Sequence, residues 1–408
     1  MRNIYKREFY LRKIRPFYKT DLIKVITGIR RCGKSCLMLS IQDELRASGV
    51  LDQDILYLNL DQRGNKNIKS AQQLDEKIES MLSGDGYKYL FVDEVQNVKN
   101  FEEVINAYRE EGNFSIFVTG SNSYLLSGEL LTKLTGRYIE INLFTLSFDE
   151  YLEMKKFHGQ ALASVSADFT DYLRYGGFPQ TLEFADASSK AVYLANVIEQ
   201  IMHKDVKVRN IIRNQLVFER VRNYLVNNFG TTTNIAKILA WFEQVEQIKI
   251  KPNTIKRYID ILENARILYK CPCFDVKSRK SLSGGEKYYL ADVGIYFAMN
   301  TDGRINYGPV LENLFYVYLR SRGYQVSVGR IGDLECDFIV RRKDEYFYVQ
   351  IAMTIADRKT EDREYRPFEK VKDNHPKYLF TLDPLLQKRD GVKHLNLLDF
   401  MAAGEDLV

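Results

Sequence analysis

The stretch Val25–Leu39, VITGIRRCGKSCLML, decides how the fold is read. An apolar run meets a glycine, then two arginines and a cysteine, and the chain resumes at Gly33-Lys34-Ser35 with apolar residues at helical spacing. Gly28 to Ser35 fits G-x-x-x-x-G-K-[ST] in full, between an apolar strand and a helix. The spacing has a physical reason. Glycines let the backbone turn its N–H groups inward around phosphate oxygens, and the helix N-terminus adds its positive end. Lys34 is then placed to reach the β- and γ-phosphates, and the Ser35 hydroxyl to bind Mg²⁺. Gly28, Ile29, Arg30, Arg31, Cys32, Gly33, Lys34, Ser35 and Cys36 together form the candidate nucleotide loop. Arg30 and Arg31 occupy its variable positions, so at least one should face solvent, a carboxylate or a neighbouring subunit. Cys32 and Cys36 flank the loop and suggest sensitivity to thiol oxidation.

Working outward, short apolar runs alternate with helical patterns, the signal for a parallel sheet covered by helices. Strands are expected at 23–27, 55–60, 89–92, 115–119 and 138–144. YLFVDEVQ ends a strand in Asp93-Glu94, where an aspartate can hold Mg²⁺ through water and the next carboxylate can orient an attacking water. SIFVTGSNS ends another in Thr119, Ser121 and Asn122, polar groups that could sense a γ-phosphate or simply punctuate a turn. Arg137 follows the helical pattern of 123–135 and precedes a strand. It either caps carbonyls or reaches a neighbouring subunit's nucleotide as an arginine finger.

Composition narrows the class. A chain of 408 residues is too long for one ordinary core. No apolar run approaches the roughly 20 residues of a membrane span. Residues 1–19 are charged and aromatic without the apolar core of a secretion signal, so the cytoplasm is the expected location. Five scattered cysteines argue against a disulfide framework, and Cys271-Pro272-Cys273 lacks the second ligand pair of a zinc site. A net charge of +5 is too small to establish a nucleic-acid partner.

The P-loop, LFVDE, VTGSNS, and LTGR before a strand resemble an AAA+ ATPase domain of the additional-strand, catalytic-glutamate type. LFTLSFDEYL, YLRYGGFPQTL, IEQIMHKDVKVR, TIKRYIDILENARILYKC, KYYLADVGI, YGPVLENLFYVYL and LECDFIV extend the resemblance over essentially the whole chain. They are similar, in order, to a large family of prokaryotic ATPases with a C-terminal region of uncharacterised function. The resemblance implies an α/β fold with a five-stranded parallel core (1–150), a helical lid (151–230), a winged helix (231–300) and a nuclease-like α/β end domain (301–408). It implies ATP and Mg²⁺ as ligands, Gly28, Gly33, Lys34 and Ser35 as phosphate and metal contacts, Asp93 as the metal-holding aspartate and Glu94 as the base. Asn122 or Ser121 becomes the sensor and Arg137 sits where arginine fingers sit. Gly176 to Pro179 resembles a G-x-P element that touches nucleotide, through Gly177 and Pro179; a plain turn between helices reads equally well.

In the middle region Ile255, Ile259 and Leu262 share one helix face, with Lys256, Arg257, Asp260 and Glu263 opposite. Lys251, Lys256 and Arg257, with Lys277, Arg279 and Lys280 in the following loop, could contact DNA phosphates, while Asp260 and Glu263 would repel them. A solvated charged face is the competing reading. The tail resembles the PD-(D/E)xK nuclease fold, with Glu312 on a helix and Asp337 on a strand. The next strand offers Gln350-Ile351-Ala352 where carboxylate-x-lysine is needed. A neutral amide is a poor Mg²⁺ ligand and alanine cannot activate water, so no nuclease activity is expected. The sequence reads as an ATPase for which a homo-oligomer is one candidate assembly, with an ATP-gated DNA-binding or adaptor module of negligible turnover as the alternative. Asp93-Glu94 disfavours a kinase, and the absence of N-K-x-D disfavours GTP.

Overall fold

Five apolar runs become five parallel strands. In a computed structural model of the chain, described at residues 3–120, 136–208, 210–300 and 305–408 (without the Ser283 side chain), these are β1 (Ile23–Thr27), β2 (Ile55–Asn59), β3 (Lys88–Asp93), β4 (Phe114–Gly120) and β5 (Tyr138–Asn142). Their order is β2-β3-β4-β1-β5, with every pairing parallel. All residues of β1, β3 and β4 are buried, which is why they read as continuous apolar runs without alternation. Helices α1 (Glu8–Ile14), α2 (Lys34–Ala47), α3 (Ala71–Glu79) and α4 (Phe101–Glu110) belong to this part of the chain. Leu74, Ile78, Val104, Ile105 and Tyr108 of α3 and α4 share one apolar cluster with Leu58, Leu90, Val92, Ile116 and Val118 of the strands. Parallel register brings the C-terminal ends of the strands to one edge, Asn59 beside Asp93 and Thr27 beside Gly120. Ligands of open α/β sheets bind at this edge.

The chain divides into two units, the first comprising Met1–Leu143 with Asn264–Arg266, the second Phe144–Glu263 with Ile267–Val408. The second begins with α5 (Phe148–Phe157), α6 (Val165–Tyr175) and α7 (Ala187–Gln200), which runs into a π-helical segment, Ile201–Lys207. It continues through α8 (Gln215–Asn227), α9 (Ile235–Gln244) and α10 (Pro252–Asn264) to a hairpin of β6 (Leu268–Asp275) and β7 (Lys280–Leu290). Then follow α11 (Val293–Met299), α12 (Tyr307–Ser321), β8 (Gln325–Ile331), β9 (Leu334–Arg342), β10 (Glu345–Ile351), α13 (Arg358–Lys370), β11 (Lys377–Thr381), β12 (Lys388–Arg389), β13 (Val392–Asn396) and α14 (Leu397–Ala402).

Two features of this unit depart from the sequence reading. The loop expected over Asp275–Lys287 is mostly strand, because β7 starts at Lys280 and pairs with β6 from Asp275 back to Leu268. Cross-strand bonding outweighs the poor strand propensity of its serines and glycines. And β6 pairs in parallel with β8, so hairpin and tail form one eight-stranded sheet, β12-β13-β11-β10-β9-β8-β6-β7. The boundary expected near residue 300 falls between strands of a continuous sheet. Among the described residues no helix is long and apolar enough to cross a membrane.

Candidate nucleotide-binding site

The loop after β1 is built by backbone geometry. Gly28 has φ 150°, and a Cβ there would stand 2.2 Å from the Leu143 carbonyl oxygen, so no other residue fits. Arg31 (φ 70°) and Gly33 (φ 104°) take left-handed backbone, the conformation that turns successive N–H groups to one side as an anion nest. Helix α2 begins at Lys34 and aims its N-terminus at the same place. Lys34 is 5% exposed, and its Nζ donates to the carbonyl oxygens of Gly28 (3.1 Å) and Ile29 (3.3 Å). A buried ammonium hydrogen-bonded to neutral oxygens beside a nest of N–H groups fits a phosphate chain. Arg30 turns to the Asp61 carboxylate at 3.9 Å and Arg31 is exposed, within the expected choices. Cys32 is fully buried, and burial pushes its thiol up, which removes it from the oxidation expectation; Cys36 is exposed. Ser35 is half-buried in the first turn of α2.

Asp93, fully buried, is held from two neighbouring strands. Its carboxylate accepts from the Tyr57 hydroxyl (3.1 Å) and Asn59 Nδ2 (3.2 Å) on β2, and from the Thr119 hydroxyl on β4. Thr119 Oγ1 also accepts from the Glu94 backbone N–H at 3.0 Å, tying both acidic residues to β4. Glu94 has left-handed backbone (φ 59°, ψ 43°) and its carboxylate accepts from Gln96 Nε2. A non-glycine residue held there costs on the order of 1–2 kcal/mol, a price accepted where surrounding bonds over-determine the geometry. Burial and the charge of Asp93 hold the Tyr57 phenol above its usual range. Tyr57 and Asn59 escaped the sequence reading, although two polar residues at period 2 on a strand end were the available signal.

The expected sensor Asn122, with Ser121, lies outside the described residues, as does the helical pattern of 123–135. Arg137 is exposed, with Nη1 3.3 Å from Glu110, and Ile23 N–H donates to its carbonyl. Since β5 runs parallel to β1, Arg137 stands at the end of the strands opposite Gly28. Arg266, missed by the motif reading, donates to Glu140 (3.0 Å), which accepts from the Thr27 hydroxyl (2.6 Å) one residue before the loop.

Residues 20–152 match a family model described as an AAA domain, and residues 166–304 match one described as a domain of unknown function. An uncharacterized protein of Haemophilus influenzae is 36% identical over 398 residues, spanning 97% of this chain and 98% of its own length. The chain belongs to the same family as that Haemophilus protein. An uncharacterized protein of Methanocaldococcus jannaschii is 30% identical over 86% of this chain and 79% of its own. Among solved structures, a Walker-type ATPase of Pyrococcus abyssi shares the fold at a TM-score of 0.52 and 14% identity, over 72% of this chain and 96% of that one.

The remaining candidates lie in the second unit. Gly176 (φ 72°) and Gly177 close α6; Gly177 N–H donates to Asp292 (2.8 Å), and a Cβ on Gly177 would stand 2.2 Å from the Leu146 carbonyl oxygen. Pro179 opens a 3₁₀ turn. Burial raises the Asp292 carboxyl to about 6 despite donors from Thr145, Gly177 and Gly294. The GGFP turn is thus a close backbone crossing within its own unit.

Glu312 of α12 and Asp337 of β9 lie near a cation that the sequence reading did not assign to them. Lys287 of β7, 4% exposed, lies 3.0 Å from Glu312 and 3.0 Å from Glu335. Gln350 accepts from Asp337 N–H (2.6 Å) and donates to Glu364 (2.8 Å). Burial pushes both Glu312 and Asp337 up; it opposes the charge on Lys287 as well, but Glu312, Asp337 and Glu335 outweigh it and hold the ammonium above its usual value. Among the described residues no three His, Cys, Asp or Glu side chains are arranged as metal ligands. Lys251, just before α10, and Lys256, Arg257 and Asp260 on it are exposed, as are Lys277, Arg279 and Lys280 of the hairpin. Glu263 differs from expectation: it is half-buried, and burial raises its carboxyl to about 7.

Proposed function

We propose that the protein binds Mg²⁺-ATP at the Gly28–Ser35 loop and hydrolyses it. The observation that carries this reading is the Lys34 ammonium, buried beside the loop's N–H groups and hydrogen-bonded to two carbonyl oxygens. The loop N–H groups and Lys34 would hold the β- and γ-phosphates, and Ser35 with Asp93 would hold the metal, which neutralises phosphate charge. Glu94, fixed through Thr119, would accept a hydrogen bond from water and aim it at the γ-phosphorus; the P–O bond to the leaving ADP then breaks. Arg137 is too far along its own sheet to serve this loop, so its proposed role is in trans, at the nucleotide of another copy. Asn122 would sense the γ-phosphate. Gly177 and Pro179 would serve as lid elements, with ATP state altering a winged-helix arrangement of α9, α10 and the β6–β7 hairpin. The tail is proposed to lack nuclease activity.

Glu94→Gln tests the hydrolytic part. The variant should bind ATP while losing turnover by about 10²-fold or more. Mixing it with Arg137→Ala subunits should restore part of the turnover if the arginine acts in trans. Wild-type protein that binds ATP without measurable turnover would favour a second reading, an ATP-gated nucleic-acid or adaptor module. Exposed basic residues at Lys251, on α10 and in the hairpin support that alternative.

A further inference from the structure

The residues before β1 take part in the phosphate loop. Arg7 is 5% exposed, and its Nη1 donates to the backbone carbonyl of Cys32 at 3.2 Å. Its guanidinium lies 4.6 Å from the centre of the Tyr10 ring. The segment that carries it is anchored. Tyr10, Leu11 and Ile14 of α1 are buried, and Arg15 pairs with Glu8 (2.7 Å) and with Glu44 of α2 (2.6 Å), where Tyr18 also donates (2.8 Å). The strap is therefore tied to the helix that the loop opens, and it presents one cation to one loop carbonyl.

That carbonyl controls a donor. A trans peptide is planar, with its C=O and the following N–H pointing in opposite directions. Holding the Cys32 oxygen fixes the Cys32–Gly33 plane and so directs the Gly33 N–H away from Arg7. Gly33, at φ 104° with no Cβ, would otherwise let this plane rotate at little cost.

We propose that Arg7 is a positioning residue of the nucleotide site, which pins the Cys32–Gly33 peptide so that the Gly33 N–H faces the phosphates. This rests on the ATP-binding reading of the loop. Because the N–H would serve ADP and ATP alike, its misalignment weakens both and raises KM more than it lowers kcat.

The test compares wild type, Arg7→Met, which keeps a long apolar stem over Tyr10, and Arg7→Lys, which keeps a single flexible donor. ADP and ATP affinity, KM and kcat, the nucleotide-free melting temperature and amide hydrogen exchange over residues 28–36 are measured. Arg7→Met should bind both nucleotides about tenfold more weakly, the worth of one charge-assisted hydrogen bond. Arg7→Lys should lose less, and the loop should exchange faster in nucleotide-free Arg7→Met. Arg7→Met binding as tightly as wild type, with only a lower melting temperature, overturns the proposal; if that variant does not fold, wild-type affinity in Arg7→Lys does the same. Wild type that binds no ATP, while loop exchange still rises in Arg7→Met, overturns the nucleotide reading and leaves the pinned peptide standing. Unchanged exchange overturns the pinning itself.

Discussion

Lys34 and Lys287 are buried to almost the same degree, 5% and 4% exposed, yet they are held in opposite ways. Lys34 donates to two carbonyl oxygens at a loop built of inward-turned N–H groups; Lys287 lies between two carboxylates at 3.0 Å. A buried ammonium needs compensation for the water it has lost. In the first unit the compensation is partial, which suits a site that receives an anionic phosphate chain. In the second it comes from the protein's own acids, so the charge is already neutralised. A motif search would notice only the first lysine, and the partners, not the burial, separate an ion-receiving site from a closed one.

The largest effect should come from breaking the closed pair. Lys287→Met leaves Glu312 and Glu335 without their shared cation, and removing one partner of a buried ion pair costs about 3–5 kcal/mol. Urea denaturation at neutral pH should show that loss, and Lys34→Met should cost only about 1 kcal/mol, since it orphans neutral carbonyls. If Lys34→Met is the more destabilising of the two, the contrast fails.

A third buried lysine sharpens the comparison with a smaller effect. Lys24 on β1 is fully buried, and donates to the Thr20 carbonyl (2.9 Å) and Ser115 hydroxyl (2.8 Å). Burial lowers its pKa from the ordinary 10.5 to about 7. The unfolded chain therefore holds the proton more tightly between those values, and stability rises with pH from about 7 to 10 and is lost as pH falls through 7. Lys24→Met should flatten that rise in urea midpoints measured across pH 6.5–10; an unchanged slope would mean that the lysine keeps its charge when folded.

The first unit was largely legible from its residues because its chemistry is local. Gly28 to Ser35 is contiguous, Asp93-Glu94 ends an apolar run, and all five expected strands form, with ends shifted by no more than two residues. What escaped was non-local. Tyr57 and Asn59 reach Asp93 only because β2 lies beside β3, and Arg7 meets Cys32 across 25 residues. The tail was harder for the same reason. Lys287 sits in a Gly-Gly-Glu-Lys stretch that reads as a loop, and its meeting with Glu335 depends on β6 pairing with β8, which no local pattern announces. The order of a sheet decides which side chains meet, and the order was not in any one segment.

The central claim is that the Gly28–Ser35 loop receives the phosphates of ATP through Lys34. Titration calorimetry of wild type and Lys34→Ala with Mg²⁺-ATP tests it most directly. Wild type should bind one ATP per chain, and Lys34→Ala, equally folded by its melting curve, should bind at least about tenfold more weakly for want of one charge-assisted contact. Equal affinity in the two proteins, or no binding by wild type, would contradict the account.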